Sequence, residues 1–338
     1  MNPYHWGIRP ILFRFDPEWV HRRTLALCGA LGRNRLARSG LRALCDFEDP
    51  RLRITIAGID FPNPLGLGAG FDKNGVALDA LAALGFGSLE VGSVSATASA
   101  GNRVRPRLFR LPADQAMMVY YGVPNDGAAA VAARLSTFSR AVPLGVNLVE
   151  TNTGIIATPE HVVEELGGAA RFFVSRADYL VINLHCPNVP AGTSHFGDPG
   201  NLRLLLEGLC GCGPLPPVFL KIAPPPDPGQ IDAILQACDP FAFVKGFTLN
   251  AHAENPRAHL KTPKAQLDRM RGSVTGPVNR QAVNDAIRSW YGRMDRRRHV
   301  LVGVGGITTA EEAYETIRLG AQRERFASQI KDRQRGDE

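Results

Sequence analysis

PLGLGAGFDKNG, residues 64–75, starts as a short apolar run, breaks at glycines and ends in a charged loop. The same cadence recurs in GSLEVGSV (87–94), PLGVNL (143–148), YLVINLH (179–185), PVFLKI (217–222), FVKGFTL (243–249) and HVLVGVG (299–305). Segments of helical period lie between these runs, over 74–84, 128–139, 159–175, 229–237, 278–291 and 309–319. Continuously apolar strands alternating with amphipathic helices predict a parallel sheet covered on both faces. Seven such units in one domain predict an α/β fold of the closed (β/α)8 TIM-barrel type rather than an open doubly wound sheet. No GxGxxG follows the first strand, so the dinucleotide fingerprint is missing. A chain of 338 residues fits one such barrel.

The polar residues that punctuate the runs sit at their ends: Lys73, Asn147, Asn183, Cys186, Lys221 and Asn250. In a barrel these C-terminal strand ends converge on one mouth, where chemistry is placed. An enzyme is therefore expected without reference to any relative.

Composition narrows the setting. The chain is 44% apolar, enough for a large core. No stretch approaches the ~20 uninterrupted apolar residues of a spanning helix. Arg9 and Arg14 break the opening segment, so no signal peptide is expected. The net charge of +7 comes mostly from arginine, with only six lysines. Such a balance suits anionic lipid, anionic metabolites or nucleic acid, and an arginine-rich genome produces it too. The cysteines Cys28, Cys45, Cys186, Cys210, Cys212 and Cys238 show no zinc-type spacing, so no metal site is expected and free thiols are the default.

Residues 1–45 differ from the rest. They carry eight arginines and two acids, interleaved with Trp6, Ile11, Leu12, Phe13, Phe15, Trp19, Val20, Leu25 and Leu27. Asp16-Pro17-Glu18 supplies an N-cap, a proline at N1 and an acid in the first turn. A basic amphipathic pair of short helices suits an anionic membrane surface, and equally a helical cap packed on the barrel. Residues 46–320 make the barrel and 321–338 a polar tail.

NPLGLGAGFDKNG (63–75), GFGSLEVGS (85–93), PRLFRL (106–111), NLHCPN (183–188), KIAP (221–224) and GVGGI (303–307), in this order and spacing, resemble the dihydroorotate dehydrogenase family. LFRFDPEWVH (12–21) is similar to the start of its quinone-dependent class, in which an N-terminal helical pair sits on the membrane and forms a tunnel for quinone. The resemblance implies oxidation of dihydroorotate to orotate in UMP synthesis. A proton leaves C5, a hydride passes from C6 to FMN, and quinone is the final acceptor. It further implies peripheral attachment to the cytoplasmic side of the cell membrane and no nucleic-acid partner.

By position in NLHCPN, Cys186 resembles the catalytic base. Lys73 resembles the lysine that touches flavin and substrate, and Lys221 the second flavin lysine. A lysine inside a barrel is costly to bury without a task. Ala69, Gly70 and Ser93 match small positions close to the flavin, where backbone must approach a flat ring. Gly276, Gly305 and Gly306 match the glycines around its phosphate. Asn147, Asn183, Asn188 and Asn250 look like the amides that contact flavin and the pyrimidine ring, because an amide supplies donor and acceptor together. Asn125, in GVPN (122–125), echoes the substrate loop of the soluble class.

The chain also departs from its class. Cys186 stands where quinone-dependent members have serine, Val189 where they have threonine, and Val119 where the family has an asparagine. These changes leave room for another dihydropyrimidine as substrate, or for a silent homologue acting as a binding partner. After Gly320-Ala321 the family supplies an eighth apolar strand ending in Tyr-Ser/Thr-Gly. Here QRERFASQIKDRQRGDE (322–338) predicts a solvated helix or tail, leaving the eighth unit incomplete.

Overall fold

The computed structural model describes residues 4–186, 195–223, 227–250 and 257–326. Eight parallel strands close into a barrel. They are β1 Leu65–Leu67, β2 Ser88–Val94, β3 Leu144–Leu148, β4 Tyr179–Asn183, β5 Val218–Ile222, β6 Val244–Asn250, β7 Val300–Val304 and β8 Arg323–Phe326. The seven apolar runs all become strands. Along β4 the side chains alternate: Leu180 and Ile182 join the large core between strands and helices, whereas Tyr179 and Val181 point into the barrel. Asn183 continues the inward face and so reaches the mouth.

The eighth strand corrects the expectation of a solvated tail. Arg323, Glu324 and Arg325 pair with Val302, Gly303 and Val304 of β7. On the other side Glu324, Arg325 and Phe326 pair with Leu65, Gly66 and Leu67 of β1. A ladder is made by backbone groups, and β1 and β7 each offer an unpaired edge that costs free energy when left open. The charged sequence argues against a buried strand by its side chains, yet it carries the same N–H and C=O groups as any other. Gln322 sets the entry: its N–H donates to the Leu301 carbonyl (3.0 Å), and its Oε1 accepts from the Leu301 N–H (2.8 Å). Gly320 turns the chain at φ +123°, where a Cβ would meet the Tyr291 ring. Residues 327–338 lie outside the described ones.

A further helix, Pro199–Cys210, was not among the helical segments read from sequence. It is capped by Asp198, whose side chain accepts from the Asn201 N–H, and it buries Leu202, Leu205, Leu206 and Leu209. A hairpin, Ile54–Ile56 with Ile59–Phe61, closes the opposite end of the barrel. Its Ile56 and Phe61 pack on Tyr179, Val181, Phe219 and Val302. A second antiparallel sheet (Leu108–Leu111, Ala116–Val119 and Ser273–Thr275) has its own small core and leads directly into Gly276.

The N-terminal segment packs on the barrel. Its long helix Pro17–Arg33 starts at Asp16, whose carboxylate accepts from the Trp19 N–H at 2.8 Å. Gly29 and Gly32 let it approach the turn at Val76–Ala80: a Cβ on Gly29 would lie 2.8 Å from the Val76 carbonyl oxygen. Glu18 is only 5% exposed and is gripped by Arg107, with Arg105 at 2.9 Å on its outer side. Arg110 donates to the carbonyl of Phe15 at 2.9 Å. Trp6, Ile11, Phe15, Trp19, Leu27, Leu36 and Leu44 stay exposed on the outer surface. Among the described residues no helix is long and apolar enough to cross a membrane.

Burial pushes the Glu18 carboxyl up, but hydrogen bonds and charge from Arg107 and then Arg105 outweigh it and hold the pKa below its ordinary 4.5. A lowered folded-state pKa means the pair stabilises the protein above that ordinary value, and the contribution fades as pH falls below it. Glu18→Gln strands the buried Arg107 cation. The expected loss is about 2–3 kcal/mol at pH 7, below the ~3–5 of a fully buried pair because Arg105 is open to solvent. Urea unfolding at pH 7 and pH 3.5 checks this: the difference between the two proteins should shrink at the lower pH.

Candidate active site

The loop after β1 is built around Asp72. Its carboxylate accepts from the N–H groups of Asn74 (3.3 Å), Val76 (3.0 Å) and Ala77 (2.7 Å). This knot fixes the neighbouring Lys73, whose Nζ donates to the Gly70 carbonyl at 2.6 Å and lies 4.3 Å from the Tyr121 ring centre. Burial lowers the Lys73 pKa to about 8, with Asp72 and Glu18 pulling it up and Arg107 pushing it down. Gly70 has φ +109° and its N–H donates to the Gly92 carbonyl at 2.7 Å. Open space lies where its Cβ would stand, so the loop at Ala69-Gly70 leaves a recess.

Across the barrel, the Asn183 Nδ2 donates to Ser93 Oγ at 3.1 Å, and its Oδ1 accepts from the His185 N–H at 3.3 Å. Lys221 lies beside Asn183 in the β4–β5 register and beside Thr248 in the β5–β6 register. Burial lowers its pKa, and the nearby Cys186 pulls it back up. Cys186, partly buried, follows β4 on the rim. Asn147 is fully buried, and its Nδ2 donates to Glu90 Oε1 at 2.8 Å. Its Oδ1 meets no donor among the described residues, nor does Thr248 Oγ1. Asn250 ends β6, 8% exposed.

The three predicted phosphate glycines converge. Gly276 (φ +141°) leads into the turn Pro277–Asn279 and the helix Arg280–Tyr291. Gly306 (φ +80°) packs so closely on that helix start that a Cβ would lie 2.8 Å from the Arg280 Cβ. Gly305 (φ +96°) faces open space. Backbone of this kind at a helix N-terminus suits an anion.

Ala69, Gly70, Lys73, Ser93, Asn147, Asn183, Cys186, Lys221, Asn250, Gly305 and Gly306 thus stand at the C-terminal ends of strands around one mouth. Asn188 lies outside the described residues, as does Val189. Asn125 corrects its expected role. Its Nδ2 donates to Ser95 Oγ (2.8 Å) and the Val123 carbonyl (3.0 Å), while its Oδ1 accepts from the N–H groups of Ser95 (3.1 Å) and Gly127 (2.9 Å). An amide has two donor hydrogens and two acceptor sites, so holding this loop uses its whole capacity.

Sequence reading overlooked Asp72, Glu90 and the chain Glu18–Arg107–Tyr121–Lys73. The Arg107 guanidinium lies 5.3 Å from the Tyr121 ring centre, and the His21 ring lies 5.2 Å from Phe71 and 6.4 Å from Tyr121. Burial, then the charge of Lys73, lowers the His21 pKa to about 4. The N-terminal helix therefore touches the wall of the same mouth. The partners of Glu18 and Glu90 lie across long sequence gaps, which spacing alone does not reveal.

The mouth is lined by two partly buried lysines, several amides and small residues, with a thiol on its rim. Such a lining suits a flat, polar, negatively charged ligand. The family model described as dihydroorotate dehydrogenase matches residues 51–329. The dihydroorotate dehydrogenase (quinone) of Mycobacterium leprae is 38% identical over 317 residues, covering 93% of this chain and 85% of that protein. That of Chloroflexus aurantiacus is 35% identical over 333 residues, covering 94% and 89%. A crystal structure of the enzyme from Eimeria tenella in complex with ferulenol superposes with a TM-score of 0.76 at 26% identity, covering 92% of this chain and 85% of that one.

The depressed Lys73 pKa has a sign that can be tested. A lysine whose folded-state pKa falls from 10.5 to about 8 destabilises the fold while charged. Stability should therefore rise between about pH 8 and 10.5 through this group. Lys73→Met is expected to unfold at higher urea concentration than the parent at pH 7, and the gap should close by pH 10.

Proposed function

This chain belongs to the dihydroorotate dehydrogenase family, and we propose that it oxidises dihydroorotate to orotate in UMP synthesis, with FMN as bound cofactor and quinone as electron acceptor. The observation that carries this reading is one mouth holding Lys73, Asn147, Asn183 and Lys221 with the Cys186 thiol on its rim. The residues fit FMN on their own geometry. Asn147 presents a buried acceptor without a donor, and Gly70 and Gly305 leave recesses that a Cβ would fill.

Ala69, Gly70 and Ser93 would lie against the ring, Asn147, Asn183 and Lys221 would meet its polar edge, and Gly276, Gly305 and Gly306 would hold the phosphate. Bound FMN supplies a two-electron acceptor for the hydride that leaves C6. Cys186 Sγ takes the C5 proton. A free thiol titrates near ~8.5, and a cation beside it favours the thiolate. Lys221, on the neighbouring strand and electrostatically coupled to Cys186, would supply that charge. Lys73 balances the negative charge that develops in the mouth and on the substrate carboxylate. Asn183 and Asn250, with Asn188 by resemblance, would orient the pyrimidine ring by its alternating N–H and C=O groups.

Residues 1–45 we read as the quinone and membrane segment, and the barrel from residue 46 as the FMN-binding unit. Exposed Trp6, Ile11, Phe15 and Trp19 beside arginines suit peripheral attachment to the anionic cytoplasmic face of the cell membrane. Quinone would approach along the side where His21 and Arg107 meet Tyr121, which touches Lys73.

One observation favours a second substrate. Val119 is apolar where the family offers an amide, and Asn125 is spent on its own loop. The altered amide set would suit a different dihydropyrimidine, and dihydrouracil is a simple one to compare.

Purified protein supplied with dihydroorotate and a soluble short-chain ubiquinone should form orotate. Dihydrouracil in its place should react more slowly, and faster turnover with it would favour the second substrate. Cys186→Ser is expected to lower the rate by about 10²-fold or more at pH 7 with flavin still bound, the size of a lost general base. An unchanged rate would remove Cys186 from the mechanism.

A further inference from the structure

Glu90 lies on β2, 4% exposed, in the middle of the barrel. Leu89, Val91 and Val94 of the same strand face the helices. Glu90 pairs in register with Gly145, and Gly92 with Asn147, so Glu90 sits one inward layer below Asn147. The Asn147 Nδ2 donates to Glu90 Oε1 at 2.8 Å.

With Glu90 Oε1 as the acceptor in this contact, the contact decides which way the Asn147 amide points. The nitrogen turns down toward Glu90, and Oδ1 is left on the opposite side of the amide. That oxygen is shielded from solvent and meets no donor among the described residues. A buried acceptor left unmet costs about 1–3 kcal/mol, a cost that a donor on a ligand in the mouth would remove. The oxidised isoalloxazine ring has one N–H, the imide between its two carbonyls.

We propose that Glu90 is a positioning residue that holds Asn147 Oδ1 as the acceptor for the flavin's ring imide N–H. The inference rests on the flavin reading above and adds a residue and a polarity to it. A glutamine at position 90 could pair with Asn147 in either sense, and half of those pairings would turn an amide N–H toward the imide N–H. The carboxylate removes that ambiguity.

The test is titration of apoprotein with FMN, followed by quenching of flavin fluorescence. Glu90→Gln should weaken binding about 10-fold, the effect of one misdirected buried hydrogen bond. Asn147→Asp alone sets two carboxylates together and should weaken it further. The double variant Glu90→Gln/Asn147→Asp restores a donor below and an acceptor above, and should recover affinity to within about 3-fold of the parent (under ~0.7 kcal/mol). A merely structural role for Glu90 predicts no such rescue. The parent should also bind N3-methylated FMN about 10-fold more weakly than FMN.

Parent-like affinity of Glu90→Gln, a double variant as weak as the weaker single, or equal binding of the two flavins would each overturn the proposal. If the parent takes up no flavin, this inference and the FMN reading fall together. If it binds flavin with these preferences but does not oxidise dihydroorotate, the substrate reading alone falls.

Discussion

The backbone ladder between Arg323–Phe326 and its two neighbours is the constraint on which the rest depends. Without it β1 and β7 are edges, and the loops they carry have no fixed relation. With it, Lys73 from the loop after β1 and Gly305-Gly306 from the loop after β7 face one mouth. A parallel barrel aims every strand end the same way, so closure also places Asn147, Asn183, Lys221 and Asn250 around that opening. The ladder is built from N–H and C=O groups, which is why a charged segment can make it.

Inside the mouth, polar groups are held by other polar groups. Asp72 knots the loop that presents Lys73, Ser93 holds Asn183, and Glu90 turns Asn147. Lys73 and Lys221 lose hydration there, and burial depresses both pKa values. Such an arrangement is expensive for a protein with nothing to bind, and it suits a ring whose negative charge grows during reaction. Glu18 and Arg107 extend the network outward, so the N-terminal helix is part of the wall and not an appendage.

Much of the fold was legible because parallel strands carry their signature in plain apolar runs, and seven of eight were read so. The eighth was not, because QRERF speaks through side chains while its pairing is a matter of backbone. The helix Pro199–Cys210 likewise passed unread. Cys186, Lys73, Lys221 and the glycines Gly276, Gly305 and Gly306 were legible through their resemblance to the family's motifs, and the structure brings them to one end of the barrel. Asn125 shows the limit: its motif pointed to substrate, but only the geometry reveals that Ser95, Val123 and Gly127 use up its amide. Glu90 and Glu18 were invisible for a related reason, since their partners lie 57 and 89 residues away.

Anaerobic titration of the purified, FMN-loaded protein with dihydroorotate tests the central claim most directly. The flavin's visible absorbance should bleach, with one orotate formed for each flavin reduced, and return when quinone is added. A protein that holds FMN in this mouth yet keeps its full absorbance under excess dihydroorotate would contradict it.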